Sequence, residues 1–271
     1  MTRRKAIFIT GGGSGIGRAI AIFFVQRGWF AGIADIDDAG MAETARLLPA
    51  GACSLHPLDV RDPARWEQAL TDFAAASGGR IDVLANNAGV GHGGAITALS
   101  EKQIDQLIDV NIRGVLNGAR AGHRWLKAAG PGSCLLNSAS ASALYGVGGM
   151  SVYSASKSAV KAITEALDTE WEEDGIRVRS LMPSFIDTPI LSHPANPGSN
   201  LSKRDTVLQA GMELLPVEHV AQAAWDAVHG KRLHVLVGKT AKAMALVARW
   251  APAYLRYRSR KLMRVRLRRD G

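Results

Sequence analysis

The segment Ala6–Arg27 constrains this chain most. An apolar, β-rich run, Ala6-Ile-Phe-Ile-Thr10, meets Gly11-Gly-Gly-Ser-Gly-Ile-Gly17 and then a helical stretch, Gly15–Arg27, stopped by Gly28. A strand that turns through glycines into a helix opens a parallel α/β sheet. Gly11, Gly15 and Gly17, with Ser14 and Ile16 between them, allow a tight turn. The backbone there can approach a pyrophosphate seated on the helix N-terminus.

The alternation continues to the end of the chain. Apolar β-rich runs at Phe30–Asp35, Cys53–Leu58, Ile81–Asn86, Ser133–Ser138, Ile176–Met182 and Leu233–Val237 complete seven expected strands. Asp62-Pro63 is a good helix start, cap followed by proline. Ser100-Glu-Lys-Gln103 forms a capping box for a helix expected to run to about Ala128. Val152–Asp174 reads as another helix, closed by Gly175. The expected fold is therefore a Rossmann-like, doubly wound parallel sheet with helices on both faces. One domain spans 1–248 and a basic extension spans 249–271. The stretch from Ser184 to about Pro216 has no clear element, and a loop that long inside a domain reads as a substrate lid.

The chemistry centres on Tyr153 and Lys157. Their i, i+4 spacing puts both on one face of a helix. A nearby ammonium favours the phenolate, so the lysine is expected to lower the tyrosine pKa from its usual value of about 10. Such a tyrosine can take a proton from an alcohol or give one to a ketone. Ser138, Ser140 and Ser142 alternate along one extended segment, and all three could face the same side. Asn111 falls in the middle of an expected helix, where asparagine is a poor helix former.

Other polar residues cluster at expected C-terminal strand ends, where open α/β sheets bind ligands. Asp35 ends the second strand, and its carboxylate can accept bonds from both ribose hydroxyls of an adenosine. It would repel a 2′-phosphate by about 4 kcal/mol at about 4 Å and an effective dielectric near 20. Neither position 14 nor position 36 carries an arginine or lysine to compensate, so NAD is expected rather than NADP. Asp59-Val60 follows the third strand, and Asn86-Asn87-Ala88-Gly89 the fourth.

Taken together, Thr10-Gly-x-x-x-Gly-x-Gly17, Asn86-Asn-Ala-Gly89, Asn111, Ser140 and Tyr153-x-x-x-Lys157 resemble the short-chain dehydrogenase/reductase family, in its compact form, over roughly residues 5–240. The resemblance implies an NAD(H)-dependent oxidoreductase acting on a CH–OH group. Tyr153 would be the general acid/base, and Lys157 would lower its pKa and bind the nicotinamide ribose. Ser140 would orient the substrate oxygen, and Asn111 would hold a water linking Lys157 to solvent. Asp59 and Val60 would contact adenine, and Asn87, Ala88 and Gly89 would line the cofactor. Ile186 and Thr188, after Pro183, would hold the carboxamide. Family habit also implies a homodimer or homotetramer. One departure stands out: Ser184 follows Pro183 where the family usually has glycine, which leaves the chain's path into the lid open. Two alternatives remain: a non-catalytic NAD-sensing protein on the same fold, and an NADP-dependent carbonyl reductase.

The expected pocket walls, Leu144, Val147, Met150, Phe185, Ile190 and Leu191, are apolar, with Tyr145 the polar tip. No arginine or lysine stands in these segments, and Lys203 and Arg204 lie further along the lid. A largely apolar secondary alcohol or ketone is the expected substrate. His92 reads as a solvated loop residue. The other histidines lack ligand spacing, so no catalytic metal is expected. Cys53 and Cys134 read as separate reduced thiols.

Of the net charge of +9, residues 249–271 carry +8 and the first 248 only +1. The tail interleaves basic residues with Trp250, Tyr254 and Tyr257 but shows no clean stripe on a 3.6 period. It reads as a peripheral contact with anionic membrane or as a solvated, oligomer-contacting tail; a nucleic-acid partner is not expected. The N-terminus runs from Arg3-Arg4-Lys5 straight into the first strand, and the Ala243–Ala248 run is far short of a membrane span. A cytoplasmic location is expected, with membrane contact only at the periphery.

Overall fold

The computed structural model describes residues 4–192, 201–209 and 211–267, with side chains to 261. Strand β1 (Ala6–Thr10) leads into helix α1 (Gly15–Val25), then β2 (Phe30–Asp35), α2 (Asp38–Arg46), β3 (Cys53–Pro57) and α3 (Pro63–Ala76). Next come β4 (Val83–Asn86), α4 (Glu101–Ile108), α5 (Gly114–Ala129), β5 (Cys134–Ser138) and α6 (Ser151–Glu170). The chain continues through β6 (Arg177–Pro183), β7 (Phe185–Ile186), α7 (Lys203–Gln209), β8 (Leu214–Leu215) and α8 (Val217–His229). It closes with β9 (His234–Val237), α9 (Lys239–Trp250) and α10 (Pro252–Leu267).

Seven strands form one parallel sheet in the order β3-β2-β1-β4-β5-β6-β9. Side chains alternate between its faces. Ile7 and Ile9 join a core with Phe24, Ala224 and Val228 from α1 and α8. Ala6 and Phe8 join a second core with Trp66, Phe73 and Leu126 from α3 and α5. A sheet covered on both faces explains why its strands read as near-continuous apolar runs. The strand order reverses between β1 and β4, and the turns after these two strands open side by side there.

Several local features differ from the sequence expectation. The helix expected from Ser100 to about Ala128 is interrupted by a π-helical stretch, Asp109–Arg113, between α4 and α5. The expected lid contains β7 and β8, paired in parallel, and α7; residues 193–200 and 210 of that segment lie outside the described residues. Helices α2 and α8 carry no sequence signal used above. The boundary drawn at residue 248 falls inside α9. Ser184 does not disturb the path: among the described residues every positive φ belongs to a glycine, and its N–H donates to Val237 O at 3.1 Å. Gly238 (φ 95°) leaves room beside it; a Cβ there would lie 2.5 Å from Ser184 Oγ. Cys53 on β3 and Cys134 on β5 are free thiols separated by three intervening strands.

Candidate active site

The glycine turn is shaped by close approach. A Cβ on Gly17 would overlap the Gly11 carbonyl oxygen, and Gly11 and Gly15 take φ of 66° and 50°. Among the described residues no side chain caps the N-terminus of α1: Ser14 stands at the cap position without a bond to the helix N–H groups. An uncapped N-terminus presents free N–H donors and a partial positive charge. It opens into a cleft of about 310 Å³ lined by Gly11, Ser14, Gly15, Ile16, Asp35, Asp59, Val60, Asn87, Ala88, Gly89 and Thr188. A larger groove of about 970 Å³ lies on the outer side of the turn between α1, α2 and α8. Tyr153, Lys157 and Ser140 line neither space; they adjoin the smaller cleft through Gly89, where a Cβ would sit 3.4 Å from Lys157 Nζ.

The cleft walls are held by buried bonds. Thr10 Oγ1 accepts from the N–H groups of Asn87 and Ala88, both at 3.0 Å, and Asn87 Nδ2 donates to Thr10 O at 3.0 Å. These bonds tie the ends of β1 and β4 together. Asp35 is oriented by backbone: Oδ2 accepts from Gly13 N–H at 2.9 Å and Oδ1 from Ile36 N–H at 2.8 Å. Asp59 is gripped by Arg61, with Nε at 2.9 and 3.0 Å from its two oxygens, which holds its carboxyl below the usual range. Val60 O accepts from Trp66 Nε1 and Asn117 Nδ2, both at 3.0 Å. Thr188 crosses over the turn, its Cγ2 3.3 Å from where a Gly15 Cβ would sit. Pro183 ends β6, and Ile186 pairs with Leu215 in the small sheet; neither lines the cleft.

The candidate side chains come from three segments: Asn111 from the stretch after α4, Ser140 from the turn after β5, and Tyr153 and Lys157 from α6. Lys157 is buried on α6, one turn beyond Tyr153, and its Nζ stands 5.8 Å from the Tyr153 ring centroid. That Nζ donates to Ser138 O at 2.8 Å, not to the phenol. Burial drives the Lys157 pKa down to about 8. Burial likewise raises the Tyr153 phenol, and the hydrogen bond with the Ser140 side chain pulls it back part of the way. The expectation that Lys157 lowers the tyrosine pKa is therefore corrected for this arrangement, because desolvation outweighs a cation aimed at a carbonyl.

The three alternating serines have separate surroundings. Ser140 caps a 3-10 turn (Ala141–Ala143), accepts from Ser142 N–H at 3.2 Å and bonds Tyr153. Ser138 Oγ donates to Asn87 Oδ1 at 3.1 Å. Ser142 Oγ is buried without a hydrogen-bond partner among the described residues.

Asn111 is fully buried in the π-helical stretch. Its Oδ1 accepts from Val90 N–H at 2.9 Å, and its Nδ2 donates to Val90 O at 3.0 Å and Ser156 Oγ at 3.1 Å. Its side chain thus grips the loop after β4. Gly89 fits beside it: a Cβ there would sit 3.2 Å from Asn111 Oδ1 and 3.4 Å from Lys157 Nζ.

Two features escape the sequence reading. Below the site, Asn86 Nδ2 donates to Asn137 Oδ1 and Asn137 Nδ2 to Thr164 Oγ1, both at 3.0 Å, linking β4, β5 and α6. Above it, Lys203 of α7 reaches back so that its Nζ donates to Gly91 O at 2.7 Å. Gly91 faces Ile190 and Tyr153, with a Cβ there 3.6 and 3.8 Å from them. Lys203, further along the lid in sequence, thus reaches the loop after β4 beside the pocket. His92 is bonded to Gln106 Oε1 at 2.9 Å on the exposed rim.

Residues 5–196 match the family model described as short chain dehydrogenase. The chain belongs to the short-chain dehydrogenase family. It is 34% identical over 203 residues to the probable oxidoreductase EphD of Mycobacterium tuberculosis, covering 73% of this chain. The chain spans about a third (34%) of that relative's length. It is 32% identical over 232 residues to the short-chain dehydrogenase reductase ATA1 of Arabidopsis thaliana, covering 81% of this chain and 84% of that protein. Among solved structures, a short chain dehydrogenase/reductase from Burkholderia phymatum in complex with NAD superposes with a TM-score of 0.80 at 27% identity. That superposition covers 95% of this chain and 97% of the other.

Proposed function

We propose that this member of the family transfers a hydride between NAD(H) and the carbon of a secondary alcohol or ketone, with Tyr153 as general acid/base. The observation that carries the reading is the cluster itself: Ser140 close enough to the Tyr153 phenol to lower its pKa, with Lys157 buried one turn along the same helix. The bound nicotinamide supplies the hydride acceptor or donor. In the oxidising direction, the substrate O–H proton passes to the Tyr153 oxygen while the C–H electron pair leaves as hydride, forming the carbonyl. In the reducing direction, Tyr153 gives its proton to the carbonyl oxygen. Ser140 holds that oxygen beside the phenol, and Lys157 with Asn111 connects the phenol to solvent.

The turn at Gly11–Gly17, the uncapped start of α1 and the cleft beside them suit a dinucleotide. Asp35 favours NAD over NADP, and the nearby cation does not offset it. Arg18 is committed to Glu43 at 2.7 Å and to Thr44 Oγ1 at 3.0 Å. The half-buried apolar side chains of Leu144, Val147 and Leu191 favour an apolar substrate. A homodimer or homotetramer is the expected assembly.

Tyr153→Phe should lower turnover at least a hundredfold while leaving NADH affinity unchanged; retained turnover would remove the tyrosine from its role. Asp35→Asn should raise NADPH affinity at least tenfold relative to NADH in fluorescence titrations. An unchanged ratio would overturn the cofactor assignment. The non-catalytic alternative requires that no panel of lipophilic alcohols and ketones changes NADH absorbance.

A further inference from the structure

The C-terminal helices carry a second surface that the oxidoreductase reading does not use. The tail shows no single stripe because it is two helices: the chain breaks at Ala251 (φ −140°, ψ 55°) before Pro252. Each helix has its own two faces. In α9, Ala241, Met244, Ala245 and Ala248 recur at i, i+3, i+4 and i+7 and turn inward. This helix packs on β9 and on the Ala141–Ala143 turn next to Ser140. Its opposite face presents Lys242, Leu246, Arg249 and Trp250. In α10, Leu255 and Ser259 are half-buried, while Tyr254, Tyr257, Arg258 and Lys261 share the outer face.

That surface is unusually apolar for something so exposed. Trp250 is 73% exposed, Leu246 63%, Tyr257 62% and Tyr254 51%. The rings are set among cations: the Arg249 guanidinium lies 5.4 Å from the Trp250 ring centroid, and Arg258 Nη1 donates to Tyr254 Oη at 3.4 Å. From Lys239 to Arg269 there are eleven lysines and arginines and not one acid, so the remaining residues together carry −2. Among the described residues, no carboxylate side chain forms an ion pair with a cation of α9 or α10.

We propose that the outer faces of α9 and α10 dock this protein on an anionic lipid surface. Tryptophan and tyrosine rings settle at headgroup depth, where an apolar body and a polar tip are both satisfied. Leu246, one turn before Trp250, reaches the acyl boundary. The lysines and arginines around them meet anionic headgroups. A second copy of the chain would bring the same positive face, and like charges oppose that contact. A phosphate backbone would answer the charge but leave Leu246 and Trp250 in water. The docking is independent of the oxidoreductase assignment. It would nonetheless hold the catalytic side against the bilayer, since α9 rests on the turn that follows Ser140.

The test is cosedimentation of the full chain with vesicles of phosphatidylcholine alone and of phosphatidylcholine with 30% phosphatidylglycerol. The proposal requires at least tenfold more bound protein on the anionic vesicles, released by 0.5 M salt. Two variants separate the two contributions: Trp250→Ser with Tyr257→Ser, and Lys242→Glu with Arg258→Glu and Lys261→Glu. Each should lower binding at least fivefold, with thermal midpoint and mass in solution unchanged. Equal pelleting on both vesicle types, equal pelleting of wild type and variants, or tighter binding to duplex DNA that displaces the vesicles would overturn it.

Discussion

Lys157 is expected to destabilise the nucleotide-free protein it serves. Burial moves its pKa from 10.5 to about 8, a shift of roughly 2.5 units, equivalent to about 3 kcal/mol of unfavourable desolvation. At pH 7 the group is charged in both the folded and unfolded chains, so the whole penalty is present. Between pH 8 and 10.5 the folded chain releases the proton while the unfolded chain keeps it. The unfolded state then binds more protons, and stability must rise with pH across that window. Lys157→Met removes the charge while keeping much of the shape. It gives up the bond to Ser138 O, a loss of about 1 kcal/mol. The variant should therefore be more stable by about 2 kcal/mol at pH 7, a rise in midpoint of about 4–8 °C. The advantage should vanish by about pH 10. Thermal or urea unfolding of both proteins, stripped of nucleotide, from pH 7 to pH 10 measures it. A stability difference that stays constant over that range would refute the reasoning, whatever happens to turnover. Turnover itself should be lost in the variant.

Two further outcomes follow from the surrounding bonds. Asn137→Ala should lower stability to urea by about 2 kcal/mol or more, because Asn86 Nδ2 and Thr164 Oγ1 each lose a buried partner. A loss below about 0.5 kcal/mol would show that the chain of amides carries little. Lys203→Met should raise the substrate KM severalfold with kcat unchanged, because the bond to Gly91 O joins α7 of the lid to the loop beside Tyr153; unchanged KM would detach Lys203 from the site.

What the sequence discloses and what it hides divide on physical lines. All seven sheet strands are legible because a parallel sheet buries both faces and leaves uninterrupted apolar runs, as in Ile7–Ile9 and Leu135–Leu136. The glycine turn is legible because overlap at Gly17 and positive φ at Gly11 and Gly15 exclude other residues. The π-helical stretch at Asn111 is not, since Asp109–Arg113 has the same 3.6-type pattern as its neighbours. Its one extra residue per turn is set by Asn111 reaching Val90 and Ser156. Nor is the contact between Lys203 and Gly91, 112 residues apart, which only the lid's fold brings together. The split between α9 and α10 could have been found: Pro252 forbids continuing the helix, and periodicity counted on either side of it recovers each face.

The proposed catalytic pair shows most clearly why motif and geometry must be read together. Spacing alone puts Tyr153 and Lys157 on one helix face and suggests an already acidic phenol. The structure keeps them adjacent yet spends the ammonium on Ser138 O, and both groups are shifted toward their neutral forms. A protonated phenol bonded to Ser140 is poised to give a proton to a carbonyl, whereas a phenolate is needed to take one from an alcohol. In this arrangement the donor form is favoured. Because the phenolate is the proton-accepting form, raising the pH should quicken oxidation more than reduction, even as Lys157 loses its own charge above about pH 8. Rates in the two directions that respond alike between pH 7 and pH 9 would contradict this account of the pair.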